Sequence, residues 1–347
     1  MSAGVPRARI AVIVGAYRRS DFLERAVDSV LRQTAPRTEF EVVVVKDFAD
    51  AALDARLTAR GVRVVPDSEP VIGAWLLHAV AATTAPLVAF LDDDDEFVPE
   101  RLAAVGTIFA ERPALGYYRN RVTVIDADGR PVPPSRWRTL ETDAAFDRSG
   151  PVSIAADATA GALPWLTRDT FVSFNSSTVV VRRELLEGPS GAAFATTQLP
   201  DLALLVAAIA GPYELYLDDR RLTRFRFHGE NVTRETAWLA RAARSQAALA
   251  DFAASVGRPE YAAWLRGMAL HYERVFESTR LLAEVRAGAP RRSVAATLSA
   301  YLRWLGRHPN LSKRNPEIWS PALYAALEVV RPGLGRRIAR ARDPARR

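Results

Sequence analysis

The run Leu87-Val88-Ala89-Phe90-Leu91 enters four consecutive carboxylates, Asp92-Asp93-Asp94-Asp95, before Glu96-Phe97-Val98-Pro99. Five apolar residues have the length of a buried strand, so the acids fall at a strand's carboxyl end, where open α/β sheets collect their ligands. Adjacent anions repel one another, and one turn holds them cheaply only if a cation neutralises them or water screens them. Oxygen donors in a chain without a single Cys favour Mg²⁺ or Mn²⁺ over zinc, and such ions usually leave positions for substrate phosphates. The competing reading is a solvated acidic turn ahead of a helix starting near Pro99.

The absence of Cys excludes disulfides, thiolate catalysis and Cys-based metal sites. No apolar run approaches the length of a membrane span, and the N-terminus shows no charged-then-apolar leader. The expected location is therefore the cytoplasm. The net charge of +7 hides an asymmetry: residues 1–236 carry 27 basic and 32 acidic side chains, residues 237–347 carry 20 and 8. A mildly acidic body thus precedes a strongly basic tail, which suits either an anionic membrane surface or an ordinary solvated helical face.

Ahead of the acidic turn, strands and helices alternate. Ile10 to Val14 reads as a strand, Asp21 and Glu24 have the form of a capping box, and Phe22 to Leu31 shows helical spacing. Glu41 to Val45 reads as a second strand, about Asp50 to Ala59 as a helix, Val62 to Val65 as a third strand and Val71 to Ala82 as a helix. This predicts a mostly parallel sheet wrapped by helices, Rossmann-like in class. Its strand ends bring Tyr17, Asp47 and the Asp92–Asp95 turn to one edge. A ring to pack on a base, a carboxylate to accept a base N–H and a metal to bridge phosphates suit a nucleoside diphosphate. Tyr17 as a packing residue and Asp47 as a turn residue are the plainer alternatives.

Val14-Gly15-Ala16-Tyr17-Arg18, Ser29-Val30-Leu31-Arg32-Gln33-Thr34, Val45-Lys46-Asp47, Gly73 before a helix, and Phe90 to Asp95 with Pro99 and Leu102 together resemble family 2 glycosyltransferases of GT-A fold. The similarity covers about residues 8–112 and resumes more weakly over 174–233. It implies metal-dependent, inverting transfer of a sugar from a nucleoside diphosphate donor to a hydroxyl acceptor, of hexosyltransferase type. By that resemblance Ala16, Tyr17, Asp47 and Gly73 bind the donor nucleotide, Asp92 or Asp93 approaches the ribose, and Asp94 with Asp95 takes Mn²⁺ or Mg²⁺. Two departures stand out. Lys46 replaces the first of two acids usual at the second strand's end, and His78 stands where many relatives have Arg. The alternative is a catalytically degenerate nucleotide-binding or scaffold protein. A dehydrogenase or pyrophosphorylase is disfavoured for want of the Gly-rich phosphate loop.

Arg121 to Pro131 reads as two strands around Asp128-Gly129, and residues 131–170 as an irregular loop in which Trp137 or Trp165 either stacks on a sugar or simply packs. After the stretch Asn175 to Arg183, residues 191–199 read as loop and Asp201 opens an apolar helix. An Asp there is commonly a cap. The resemblance makes Asp201 the candidate general base, with Asp157 and Asp169 behind it. Strands at Glu214 to Leu217 and Leu222 to Phe227 lead to His228, a structural residue or a third metal ligand beside Arg224 or Arg226 and Asn231. Residues 1–236 then form the catalytic domain and 237–347 a basic helical region, with helices near 237–255, 259–287, 292–306 and 321–342, the last broken at Pro332-Gly333. Trp304, Trp319 and Tyr324 among Arg side chains suggest a surface that rests on anionic lipid, with a glycan or lipid-linked acceptor and no nucleic acid as partners.

Overall fold

The computed structural model describes residues 9–133, 150–159, 162, 166, 172–228, 236–308 and 319–341. Two compact units result: Met1–Asn231 with Ser245–Arg266, and Val232–Arg244 with Gly267–Arg347. The first holds the sheet. Residues 245–266, which the sequence reading placed in the C-terminal helical region, cluster with it.

The alternating pattern folds as a mixed sheet. Strands β1 (Ile10–Ala16), β2 (Phe40–Lys46), β3 (Arg63–Pro66) and β4 (Leu87–Asp92) are parallel, in the order β3-β2-β1-β4. Strands β5 (Glu96–Phe97), β6 (Leu115–Ile125), β7 (Val152–Ile154), β8 (Val179–Arg182) and β9 (Glu214–Arg226) extend it beyond β4 in the order β8-β6-β9-β5, with β7 also on β9. Here β8 is antiparallel to both β4 and β6, while β9 is parallel to β6. Both the α/β class and the early strands match the sequence reading.

Helices α1 (Leu23–Leu31), α2 (Ala51–Ala59), α3 (Ile72–Ala81) and α4 (Arg101–Glu111) connect the strands. The α1 stripe of Leu23, Ala26, Val27 and Val30 is completely buried, in one core with Val12 and Val14 of β1 and Val105 of α4. Burying such side chains contributes roughly 1.5–3 kcal/mol each for the larger ones. The expected capping box does not form: the α1 N-terminus has no side-chain cap, and Glu24 instead accepts from Arg56 at 2.9 Å. In contrast Asp50 caps α2 through the Leu53 N–H at 2.9 Å.

Three later stretches differ from the sequence reading. Residues 191–195, expected as loop, are helical, within α5 (Gly188–Ala195). Pro189 sits in the first turn, where its missing N–H costs nothing. Then α6 (Pro200–Ala210) follows. The strand expected from Arg121 begins at Leu115, and the two expected at 214–217 and 222–227 are one, β9, paired with β6 through register shifts near Asn120 and Arg121.

The second unit draws on α7 (Thr236–Ser255), α8 (Pro259–Ala287), α9 (Arg291–Arg307), α10 (Ser320–Val330) and α11 (Leu334–Ala341), close to the expected spans. Leu281, Val285, Val294, Tyr301, Trp304, Leu305 and Ala325 form its core. Trp304 and Tyr324 are therefore packing residues and not the exposed aromatics expected from their Arg-rich context. The break at Pro332-Gly333 places Gly333 at φ +87°, and Glu328 receives the N–H groups of Gly333 and Arg336 at 2.9 and 2.8 Å.

Candidate active site at the carboxyl edge of the sheet

Register alone gathers the predicted residues. Gly15 lies beside both Val45 and Asp92, and Ala16 beside Lys46. Tyr17, Asp47 and the acidic turn therefore leave the sheet at the same edge. The Asp47 carboxylate accepts the Arg18 N–H at 2.6 Å, tying the first and second strand ends together. Arg18, at φ +62°, stacks its guanidinium 4.5 Å from the Tyr17 ring centre. Tyr17 is one of the few exposed large apolar side chains, and its ring meets Trp75 of α3 edge-on at 6.5 Å. Gly15 leaves room for that indole: a Cβ there would lie 3.0 Å from Trp75. Ala16 is fully buried at the strand end.

The two departures from the family pattern find local partners. Lys46 is buried and turns to Asp54 of α2 at 2.9 Å and to the Phe48 carbonyl at 2.7 Å. His78 pairs through Nδ1 with Asp67. Gly73 has a packing reason of its own, since a Cβ there would come within 1.7 Å of the Phe194 carbonyl oxygen.

Each carboxylate of the turn has a distinct environment. Asp95 is fully buried and accepts the Asn175 side-chain amide at 2.7 Å and the Arg226 N–H at 2.9 Å, so both of its oxygens brace the turn. Asp92 accepts from Ser176 Oγ at 2.8 Å, and its own N–H donates to Ser177 Oγ at 3.0 Å. Asp93 accepts from Arg19 Nε at 3.4 Å and Nη2 at 3.2 Å. Asp94 pairs with the same Arg19 guanidinium and with His228 Nε2 at 3.0 Å. Burial and then the neighbouring Asp94 charge push Asp92 and Asp93 up to about 7, and the same causes raise Asp95 well above the ordinary carboxylate range.

Oxygens of Asp92, Asp94 and Asp95 all lie within 4.8 Å of one another. Crowded, desolvated carboxylates with oxygen donors and one imidazole nearby match what a hard divalent cation binds. Arg19 already brings a positive charge to two of the four acids. The residues thus fit Mn²⁺ or Mg²⁺, with Asp94 and His228 in mutual contact and Asp95 more fully committed to its own hydrogen bonds.

Arg226 builds the floor. Completely buried, it donates from Nε to the Asp94 carbonyl at 2.8 Å, from Nη1 to the carbonyls of Asp126 and Ala127 at 2.9 and 3.0 Å, and pairs with Glu96. Its guanidinium lies 4.8 Å from the Phe22 ring, and His228 packs on the same ring at 5.2 Å. Of the two arginines weighed from sequence, Arg226 takes this place, while Arg224 is at the surface beside Glu96.

Asp201 is the second residue of α6, not its cap, and its Oδ1 accepts the Leu202 N–H at 2.8 Å. Burial raises it to about 6, with Leu202 and the buried Arg119 pulling it back. Its charge also acts on Asp92 and Tyr117, which puts it within electrostatic reach of the acidic turn. Asp157 is exposed in a 3₁₀ turn, Ala156–Ala158. Asp169, Trp137, Trp165 and Asn231 lie outside the described residues. Sequence reasoning missed Arg19, Trp75 and the bracing Asn175-Ser176-Ser177 turn. The only signal was a run of small polar residues leading straight into the buried strand β8.

A Rossmann-like half-sheet, an antiparallel extension and an acidic turn at the junction are the arrangement of a GT-A fold. Residues 11–163 match the model of Glycosyl transferase family 2. An uncharacterized glycosyltransferase of Nostoc sp. is 27% identical over 130 residues, 36% of this chain and 39% of that protein, so the shared part is well under half of either. TarS 1-349 of S. aureus in complex with UDP-GlcNAc superposes with a TM-score of 0.60 at 14% identity, over 96% of this chain and 90% of that one. The same protein with UDP gives 0.56 at 15% identity, over 96% and 87%. These likenesses are of fold.

Proposed function

We propose that the protein is a metal-dependent inverting glycosyltransferase that moves a sugar from a nucleoside diphosphate to a hydroxyl of a glycan, lipid-linked or part of the cell envelope. The observation that carries the reading is the meeting of Asp94 with His228 and Arg19 at the edge that also holds Tyr17 and Asp47, within reach of the Asp201 charge. The UDP-GlcNAc complex of a protein with this fold supports a nucleotide-sugar donor.

In this reading Tyr17 offers its exposed face to the base and Asp47 accepts a base N–H. Asp92 or Asp93 approaches the ribose, and Ala16 and Gly73 shape the donor's bed. Asp94, His228 and Asp95 would hold the divalent ion, which would offset the negative charge of the departing diphosphate. Asp201 takes the proton from the acceptor hydroxyl as its oxygen attacks the anomeric carbon, and one such displacement inverts that carbon. A carboxyl raised to about 6 is ionised at neutral pH yet more basic than an ordinary Asp, which suits that task.

Calorimetry with UDP and GDP, with and without Mn²⁺, tests the donor half, and nucleotide release from a panel of sugar donors tests transfer. Metal-dependent nucleotide binding followed by donor turnover is expected. Binding without turnover of any donor favours the degenerate scaffold, and no binding rejects both.

A further inference from the structure

Among the described residues, Leu302, Trp319, Leu323 and Val330 are four of the five exposed large apolar side chains, and all four belong to the second unit. They are not scattered. Leu302 of α9 faces a shallow apolar depression with Leu298, Trp319, Ala322, Leu323 and Ala326. Trp319, Leu323, Ala326 and Val330 recur at helical spacing, so they make one stripe along α10 and the residue before it. Val330, at 78% exposure, and Leu323, at 57%, are far from the burial that apolar side chains favour.

The helices that carry this stripe are cationic. Residues 291–308 and 319–341 contain eight Arg and one acid, Glu328. That acid is buried and occupied by the N–H groups of Gly333 and Arg336. Arg292, Arg303 and Arg307 of α9, Arg331 after α10 and Arg337 of α11 are exposed, and Arg291 donates to the Val330 carbonyl at 3.1 Å. An apolar ridge between cations matches the boundary of an anionic bilayer, where acyl chains take the ridge and headgroup phosphates take the guanidinium groups. A second copy of this surface would set like charges face to face. Nucleic acid would use the cations but leave the ridge in water.

We infer that α9 and α10 form a peripheral docking surface for anionic lipid bilayers, with Trp319, Leu323 and Val330 entering the interface. No described helix is long and apolar enough to cross a membrane. The inference is independent of the chemistry proposed for the sheet edge.

Sedimentation of the full chain with vesicles of phosphatidylcholine, and with vesicles of phosphatidylcholine mixed with phosphatidylglycerol, tests it. Binding is expected only to the anionic vesicles, weakening steeply with salt. Leu323→Asp and, separately, Val330→Asp are expected to lower the partition coefficient at least tenfold, and Arg303→Glu with Arg307→Glu by a comparable factor. Circular dichroism confirms that each variant keeps its helices. Equal binding to neutral vesicles, no binding to either, or binding that both apolar variants leave intact would overturn the inference. So would a concentration-dependent dimer that Leu323→Asp dissolves without any vesicle binding by the parent chain, since the surface would then belong to a second copy.

Discussion

The acidic turn works because its aspartates are not equivalent. Asp95 is locked by Asn175 and Arg226, Asp92 by the two serines, and Asp93 and Asp94 share Arg19, with His228 also on Asp94. Asp94→Asn is expected to abolish Mn²⁺-dependent nucleotide binding while leaving the unfolding midpoint nearly unchanged, as calorimetry and urea titration will show. Asp201→Asn should keep nucleotide affinity and lower transfer by about 10²–10⁴-fold, the usual worth of a positioned base. In the parent protein kcat/KM should rise with pH through about 6, because the ionised carboxylate accepts the proton, and the variant should lose that limb. The Asp run, Tyr17 and Asp47 were legible in the sequence because motif order and strand ends point to them. Arg19 and Trp75 were not, since nothing local distinguishes an Arg that turns back on a carboxylate 75 positions away from one that faces water.

Strands with β-branched runs and helices with an apolar stripe announced themselves: β1, β2, β4 and α1 to α4 stand within two residues of their expected limits. The antiparallel extension was harder, because its buried positions are polar. Tyr117, Tyr118, Arg119 and Asn120 of β6 are all fully buried, and their partners lie far along the chain. Tyr118 reaches Asp218 at 2.7 Å, and Arg101 of α4 reaches Asn120 at 2.9 Å. Such a segment looks solvated until the pairing is known. Arg226 is where this half of the sheet grips the acidic turn, so Arg226→Ala should cost about 3–5 kcal/mol in denaturant titrations, the range for breaking a buried ion pair. Gly73→Ala should destabilise by roughly 1–3 kcal/mol, as overpacking does, because α3 and α5 touch through backbone.

Across the protein, the sheet unit concentrates unfavourable charge and the helical unit carries the cationic excess. Asp92 and Asp93 at about 7, Asp201 at about 6 and the raised Asp95 all bind protons more tightly folded than unfolded, where Asp titrates near 4. The stability they contribute is therefore full below about pH 4 and declines as pH rises through about 7. The metal-free protein should melt lower at pH 8 than at pH 5, and saturating Mn²⁺ should recover several degrees at pH 8, since an ion that binds only the folded state stabilises it. Calorimetric titration of UDP and GDP into the full chain, with Mn²⁺ and with chelator, probes the proposed cation-and-diphosphate site most directly. Tight binding of one nucleotide that needs the metal, and that Asp94→Asn abolishes, is the predicted result. Nucleotide affinity indifferent to both metal and Asp94, or no affinity at all, would contradict it.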